Sequence, residues 1–193
     1  RRESMVNEAK LIEQLRDGRT RESAFGRLVK TYSPQMYAQI RRMVTNHDDA
    51  DDILQNALVK VWTNLDSFRG DAHISTWLYR IAYNETITFM NRGRLMLSID
   101  APAAGATDED EEKLTVASRL MADPYFDGDE TEAQLQEAIA SLPPKQRAVF
   151  NMKYYDDMKY EEMSGVLDTS VGALKASYHH AVKKITAFFE ALE

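Results

Sequence analysis

A helix-length pattern near the carboxyl end of the chain carries side chains of the types that read DNA. Ser170 stands where a helix N-cap belongs, and from Val171 onward one face is apolar. The residues facing the other way begin small and continue with hydrogen-bond donors. The candidate DNA-contacting set is Ser170, Gly172, Ala173, Lys175, Ala176, His179, His180 and Lys183. Because small residues allow close approach to the major groove and donors contact bases and phosphates, the pattern predicts a recognition helix.

The residues before this helix predict the rest of a helix-turn-helix. The segment Tyr160–Leu167 places Met163 and Val166 on one side of a short helix, and Asp168 follows where the chain must turn sharply. The predicted buried face of the next helix is Val171, Leu174, Tyr178, Ala181, Val182, Ile185 and Phe189. An ordinary helical hairpin with solvated lysines has the same periodicity, so the spacing alone leaves both interpretations open.

Two adjacent imidazoles, His179 and His180, stand on the candidate recognition face. Imidazole side chains gain a proton, and with it a positive charge, near neutral pH. We therefore expect affinity for duplex DNA to rise as the pH falls from about 8 to 6. Binding titrations over this interval test the hypothesis, which requires the pH effect to disappear in a His179→Gln/His180→Gln double variant.

A second candidate nucleic-acid surface lies in the first half of the chain. The loop Phe68–Ile74 precedes a helical pattern near residues 75–94. With Ile74, Leu78 and Ile81 inward, the predicted outward residues are Arg80, Tyr83, Asn84, Ile87, Asn91 and Arg94. Aromatic groups stack on unpaired bases, amides bond base edges and arginine holds phosphates, so this face suits melted DNA better than duplex. An amphipathic helix packed on a neighbour is the alternative that periodicity leaves open.

The segment His47–Asp66 combines an acidic start with an apolar stripe. Acidic residues are favourable at a helix N-terminus because of the macrodipole. The stripe consists of Ile53, Leu54, Ala57, Leu58, Val61, Trp62 and Leu65. The segment is interpreted either as a charged core helix or as a docking helix whose acids and polar face meet a basic partner surface.

Together these patterns predict an all-α chain with two helical domains, residues 1–97 and 131–193. Helical periodicity occurs near residues 7–17, 22–45, 48–66, 75–94, 131–142, 145–155, 159–167 and 171–191. Residues 98–130 contain two prolines and two glycines and most of the excess acid. They predict an acidic flexible linker, largely disordered when free, with a short helix around residues 113–121.

Charge is distributed unevenly along the 193 residues, whose net charge is −7. Residues 98–140 hold 2 Lys and Arg against 12 Asp and Glu, whereas residues 1–97 hold 15 against 12 and residues 141–193 hold 7 against 7. The excess acidity therefore belongs to the middle segment, and the flanking parts remain free to meet DNA or an acidic partner. The chain has no cysteine, which excludes disulfides and thiolate chemistry. No apolar run approaches the ~20 residues of a membrane span, so we expect no membrane insertion and a cytoplasmic location.

Several of these segments resemble bacterial extracytoplasmic-function (ECF) sigma factors. Those similar to sigma region two are Asp48–Asp66, Phe68–Asp71 and Ser75–Asn84, and those similar to region four are Leu142–Phe150, Tyr160–Met163 and Val171–Lys175. The resemblance covers about residues 22–97 and 138–189, in the family's order. It implies a non-catalytic specificity subunit of RNA polymerase that needs no cofactor. The implied partners are core RNA polymerase, promoter DNA and an anti-sigma factor.

By matching position, the resemblance assigns a role to each segment. The implied clamp-binding residues are Asp51, Asp52, Gln55, Asn56, Leu58 and Trp62. The residues implied to hold and melt the downstream (minus ten) element are Phe68, Arg69, Asp71, His73, Arg80, Tyr83, Asn84, Asn91 and Arg94. The recognition-helix set named above would enter the major groove of the upstream (minus thirty-five) element, and the linker would thread toward the RNA exit path.

Some positions depart from the family's pattern. Tyr83 stands where a small or basic residue is common, and Asp168 replaces a frequent turn glycine. Gly165 lies inside a predicted helix, where glycine costs up to about 1 kcal/mol relative to alanine. The stretch Ala176–His180 replaces a more arginine-rich one, so we expect weaker upstream binding than is usual in the family.

Other classes of function compete with this interpretation. A stand-alone transcription regulator would bind duplex DNA tightly without polymerase, usually as a symmetric dimer. A protein-interaction module explains the acidic helix but leaves the recognition helix unused. An enzyme is disfavoured, because His47-Asp48 lacks the upstream histidine of metal-dependent phosphohydrolases and the chain has no phosphate-binding glycine loop.

Overall fold

Helices form nearly all of the structure, a computed structural model that describes residues 2–99 and 115–193. The helices are α1 Arg2–Arg16, α2 Arg21–Val44, α3 His47–Thr63, α4 Ile74–Ile99, α5 Val116–Met121, α6 Glu130–Ala140, α7 Pro144–Tyr154, α8 Tyr160–Leu167 and α9 Val171–Glu190, with a 3-10 turn at Leu65–Ser67. The predicted all-α class is confirmed. The α4 helix continues five residues beyond its predicted end at residue 94.

Local hydrogen bonds fix several helix boundaries where the sequence predicts them. The Asn46 side chain accepts a bond from the Asp49 N–H (3.0 Å) at the start of α3. Ser170 does the same for Ala173 (3.2 Å) at the start of α9. Asp168 ends α8 in the left-handed conformation (φ 50°, ψ 51°), which confirms the predicted sharp turn.

The first domain packs α2, α3 and α4 around one apolar core. Its most buried large side chains include Leu28, Ile40, Ile53, Ile74 and Leu78, each at most 1 % exposed. The α1 helix adds Leu15 to this cluster. The periodicity of three helices therefore converges on a single core, as an amphipathic helix requires.

The second domain, α6–α9, has two apolar clusters. One joins Ile139, Leu142, Phe150 and Ile185, among others, and the other is built on Met163 and Leu174. The predicted buried face of α9 is wrong at Val182, which is 38 % exposed. The apolar stripe of α9 is narrower than its sequence suggests, because α6 and α7 cover only one side of the helix.

The segment 115–129 does not form the free linker that we predicted. The α5 helix lies within the predicted range 113–121, and the residues after it pack on the first domain. Arg41 of α2 pairs with Asp123, and the Tyr125 ring stacks on His47 with centroids 3.8 Å apart. These contacts order the segment despite its proline and glycine. Residues 100–114, which include the acidic run 108–112, lie outside the described residues.

Within residues 2–99 and 115–193, no helix combines the length and the apolar character needed to cross a bilayer.

Candidate nucleic-acid and polymerase interface

The recognition face of α9 is open to solvent. All members of the candidate set are exposed: Ser170, Gly172, Ala173, Lys175, Ala176, His179, His180 and Lys183. Leu174 and Ala181, on the opposite face, are fully buried. The Ser170 cap leaves the other N–H groups of the first helical turn available, and the macrodipole favours an anion such as a phosphate at this end. Contact with DNA stays a prediction, but the geometry leaves room for it.

Two lysines lie near one aromatic ring beside the recognition helix. Lys153 and Lys175 place their Nζ atoms 5.2 and 5.7 Å from the centroid of the Tyr160 ring. Each ammonium therefore gains a cation–π interaction. The positive charge of α9 is thus extended toward α7 and α8.

The face of α4 that we predicted to point outward is partly covered. Tyr83 and Ile87 pack against the second domain's cluster around Met163 and Val166, and burial raises the pKa of Tyr83. The Arg80 guanidinium donates to the backbone carbonyl of Gly165 on α8, with Nε 2.9 Å from the oxygen. At Tyr83 and Ile87 the structure favours the alternative that the sequence left open, an amphipathic helix packed on a neighbour, because helical periodicity separates two faces without showing that a second domain covers one.

The remaining predicted contacts on α4 are accessible. Asn84, Asn91 and Arg94 are exposed. The contact between the domains therefore covers Tyr83 and Ile87 and bonds Arg80. The three polar residues named above lie at the edge of this contact and remain accessible to a ligand. The neighbouring Tyr79 is also covered, and burial raises its pKa to about 12.

Gly165 explains how α8 approaches α4 so closely. A Cβ atom at this position would lie 2.8 Å from Cγ2 of Thr76 on α4. Threonine is stiff at χ1, so its methyl group cannot easily move away. The helix-weakening glycine noted in the sequence therefore permits the contact between the two domains.

A buried carboxylate joins the domains on the side of α2. Asp156, in the turn after α7, accepts hydrogen bonds from Gln35 (2.7 Å), Gln39 (3.2 Å) and Arg42 (2.8 Å). Its side chain is 4 % exposed, and Arg42 also lies over the ring of Tyr155. Three donors from successive turns of α2 satisfy the charge that burial would otherwise make costly.

Arg147 supplies a further link at the end of α2. It donates to the carbonyl of Met43 (2.7 Å) and to those of Ala140 (2.6 Å) and Leu142 (3.2 Å). Burial lowers the pKa of its guanidinium, and the charge of Arg94 lowers it further. Met43 itself belongs to the apolar cluster of the second domain. The domain contact is thus a continuous packed interface.

The loop between α3 and α4 has a buried and an exposed part. We call Phe68, which is buried, the anchor, and the exposed residues 69–73 the crest. Phe68 is 8 % exposed and packs on Trp77, with ring centroids 5.1 Å apart, so its ring is covered in this conformation. Arg69, Asp71 and His73 are exposed. Gly70 has a φ of +84°, a conformation that favours glycine. The predicted contact residues of this loop therefore divide into one anchor and three accessible side chains.

The predicted polymerase-binding face of α3 is accessible over most of its length. Asp52, Gln55 and Asn56 are exposed, Asp51 and Leu58 are half-buried, and Trp62 is 40 % exposed. Trp62 lies against Phe25 (centroids 5.0 Å) instead of inside the core stripe. Val59, 62 % exposed, adds an apolar side chain that the stripe did not include. The sequence signal for Val59 is that it lies outside the apolar stripe of α3, so its side chain must point to solvent. An exposed valine on an acidic helix suits a contact with another protein.

Family models match both domains. The model described as "Sigma-70 region 2" matches residues 28–95, and the model described as "Sigma-70, region 4" matches residues 132–185. The two solved structures compared share the fold at low identity. The sigma factor RpoE of Bartonella quintana, solved with the anti-sigma factor NepR, has a TM-score of 0.65, 20 % identity, and coverage of 86 % of this chain and 96 % of that one. CnrH, solved with the cytosolic domain of CnrY, has a TM-score of 0.67 and 21 % identity. The match covers 95 % of this chain and 97 % of that one.

Sequence relatives carry the family assignment. The chain is 34 % identical over 175 residues to the ECF RNA polymerase sigma factor SigW of Bacillus subtilis, covering 88 % of this chain and 90 % of that protein. It is 29 % identical over 180 residues to the ECF RNA polymerase sigma-E factor of Escherichia coli, covering 91 % and 90 %. With both conserved regions present in order, the chain belongs to the ECF family of RNA polymerase sigma factors, which direct transcription initiation with core RNA polymerase.

Proposed function

We propose that this chain binds core RNA polymerase through α3, melts the downstream promoter element with the Phe68–Ile74 loop and the face of α4, and reads the upstream element with α9. It acts as a specificity subunit without catalysis of its own. The observation that supports this division most strongly is the accessibility of all the recognition-helix residues on one domain and of Asn84, Asn91 and Arg94 on the other.

The domain contact gives the proposal a mechanism for dependence on polymerase. In the closed arrangement Tyr83 is partly covered by the α8 cluster, and two of the three guanidinium nitrogens of Arg80 are bonded to Gly165, so both offer less to melted DNA than in a separated state. The Asp156 and Arg147 links hold the same closed arrangement. Binding of α3 and α9 at separate places on the polymerase and promoter would favour a separated state, because a ligand shifts an equilibrium toward the state it binds better. The free chain then engages the downstream element poorly, because part of the α4 face is covered.

We also propose an anti-sigma factor as a partner. Of the two solved structures of the same fold, the sigma factor RpoE was determined with an anti-sigma factor, and CnrH was determined with the cytosolic domain of CnrY. On this chain the exposed docking face of α3, with Val59 and Trp62, offers a protein-binding surface. An inhibitor that covers it would compete with polymerase. Co-purification of the chain from its native cells, followed by competition of the captured protein with core polymerase, tests this.

A gel-shift experiment tests the proposed function. The purified chain, core RNA polymerase and their mixture are each incubated with a pool of genomic promoter fragments. We expect selective, heparin-resistant complexes from the mixture alone. Tight sequence-specific shifts by the chain alone would instead support a stand-alone regulator, and a mixture no more selective than core polymerase would contradict the proposal.

A further inference from the structure

The loop Phe68–Ile74 is held at its carboxyl end by a residue from α1. Oε1 of Glu8 accepts a hydrogen bond from the backbone N–H of Ile74, the first residue of α4, at 2.7 Å. Oε2 of the same carboxylate lies 3.2 Å from Nδ1 of His73. The Glu8 side chain is 19 % exposed, whereas that of His73 is 61 % exposed. One carboxylate therefore caps α4 and positions the last exposed side chain of the loop.

The amino end of the loop is held by the same helix. A terminal nitrogen of Arg16 donates to the carbonyl of Phe68 at 3.2 Å and, more weakly, to that of Arg69 at 3.4 Å. These two residues immediately precede Gly70, whose positive φ turns the chain. Arg16 thus holds the backbone at the junction of the buried anchor, Phe68, and the first residue of the crest, Arg69.

The α1 helix is itself firmly attached to the first domain. Leu15 is 4 % exposed in the core, with Leu11 and Ile12 packed against the same cluster. At the end of the helix, the Thr20 hydroxyl donates to the carbonyl of Gln14 at 2.9 Å. Contacts from α1 therefore transmit the rigidity of the core to the loop.

We infer that α1 is a brace for the promoter loop, and that Glu8 and Arg16 are positioning residues for recognition of the downstream element. This inference rests on the proposed function of the loop. Both residues precede residue 28, where the match to the region-two family model begins. The brace is thus an addition to the matched part of the domain.

Pre-organisation is the physical reason for such a brace. In the described part of the chain, the exposed side chains of Arg69 and Asp71 form no hydrogen bond or ion pair that would hold the crest. Its conformation therefore depends on the backbone contacts from Glu8 and Arg16. A loop already held in its binding conformation avoids the entropy cost of becoming ordered around a flipped base.

Hydrogen exchange of the full chain tests the brace directly and without DNA. Glu8→Ala should speed exchange in peptides that contain the Ile74 amide by about tenfold, because that amide loses a charged acceptor. Arg16→Ala should speed exchange in peptides that contain the Phe68 amide, whose bond to the Leu65 carbonyl (3.3 Å) lies beside the lost contact. The matched controls are Glu13→Ala and Arg19→Ala, which alter exposed residues nearby. Glu8→Gln should be intermediate, since its amide oxygen still accepts the bond. Unchanged exchange in both alanine variants would overturn the inference.

Holoenzyme assays then test the consequence for DNA. The probe is a promoter fragment selected by the wild-type holoenzyme, with 2-aminopurine placed in turn at each position of the downstream element. We expect a fluorescence increase at a flipped position, reduced about tenfold in rate in Glu8→Ala and Arg16→Ala, while core-polymerase affinity is unchanged. Wild-type flipping in variants that exchange faster would overturn the positioning role.

The double variant Arg69→Ala/Asp71→Ala distinguishes failure of the loop's proposed function from failure of the α1 brace. If it slows flipping whereas the α1 variants do not, the proposed function of the loop stands and the brace is rejected. If it leaves flipping unchanged, the loop is not the base-holding site, and both the loop assignment and the positioning role fail. Slower flipping in all three variants supports both.

Discussion

The guanidinium of Arg80 on α4 donates a hydrogen bond to the backbone carbonyl of Gly165 on α8, with Nε 2.9 Å from the oxygen. This contact joins a residue proposed to bind melted DNA to the helix that precedes the recognition helix. Nε and one terminal nitrogen of this guanidinium are committed to the carbonyl, and the other terminal nitrogen remains available to a phosphate. The closed arrangement of the domains therefore occupies part of the donor set that Arg80 would offer to melted DNA.

Substitution of Gly165 should loosen the closed arrangement. In Gly165→Ala the new methyl group would meet Cγ2 of Thr76, and such overpacking costs about 1–3 kcal/mol. The variant should still form α8, since alanine favours a helix more than glycine does. Because the chain has no cysteine, Ser23→Cys and Ala187→Cys allow two dyes to report the distance between the domains by energy transfer.

Gly26→Ala is the matched control for Gly165→Ala. Gly26 lies within α2, and a Cβ atom there would have no neighbour within 4 Å. We expect energy transfer to fall in Gly165→Ala and to stay at the level of the unsubstituted protein in Gly26→Ala. Equal transfer in the two variants would show that the α4–α8 contact does not control closure.

Removal of the buried charge at Asp156 should open the domains from the other side. Asp156→Asn loses the ion pair with Arg42 and places an amide N–H₂ among three donor groups. We expect the interface to weaken by about 2 kcal/mol, since hydrogen bonds to charged groups contribute 1.5–3 kcal/mol. The same dye pair measures the effect.

Asp157 provides a neighbouring control for the Asp156 experiment. Its side chain is 98 % exposed and lies 3.8 Å from Lys153, so Asp157→Asn removes an acid without touching the interface. A similar loss of energy transfer in both variants would indicate a general charge effect and contradict the role of Asp156.

Charge reversal on α3 should strongly weaken polymerase binding. Asp51→Arg with Asp52→Arg places two cations on the proposed docking face, and like charges across an interface cost several kcal/mol. We expect core-polymerase affinity to fall by about a hundredfold while circular dichroism remains helical. Glu13→Arg with Glu22→Arg, at exposed positions of α1 and α2, controls for the change in net charge. Holoenzyme assembly at wild-type affinity by the α3 variant would refute the docking role.

Two variants separate DNA contact from domain closure on α4. Asn84 is exposed, so Asn84→Ala should lower permanganate reactivity of promoter thymines about tenfold without altering the dye distance, because one base hydrogen bond is lost. Tyr83 packs against the second domain, so Tyr83→Ala should change both the permanganate reactivity and the dye distance. Asn7→Ala, on the exposed side of α1, should change neither. Normal reactivity in Asn84→Ala would move the melting surface elsewhere.

Much of the local structure was predictable from the sequence. The Ser170 cap, the Asp168 turn and the alternation of Leu174 with exposed neighbours depend on groups a few residues apart. The order of the two family-like segments also predicted the all-α fold class with a region-two and a region-four part. Capping and periodicity are short-range properties, so a single sequence contains enough information to locate them.

Only the tertiary structure decided how these surfaces relate to one another. Glu8 and Ile74 are 66 residues apart, Arg80 and Gly165 are 85, and Arg42 and Asp156 are 114. In each pair a residue that is unremarkable in its own segment becomes important through its partner. Helical spacing shows which side chains share a face, whereas the partner of that face depends on packing and on the burial of charge across the whole chain. The sequence by itself therefore determined the helices and their chemistry, and tertiary packing decided which of those surfaces are free.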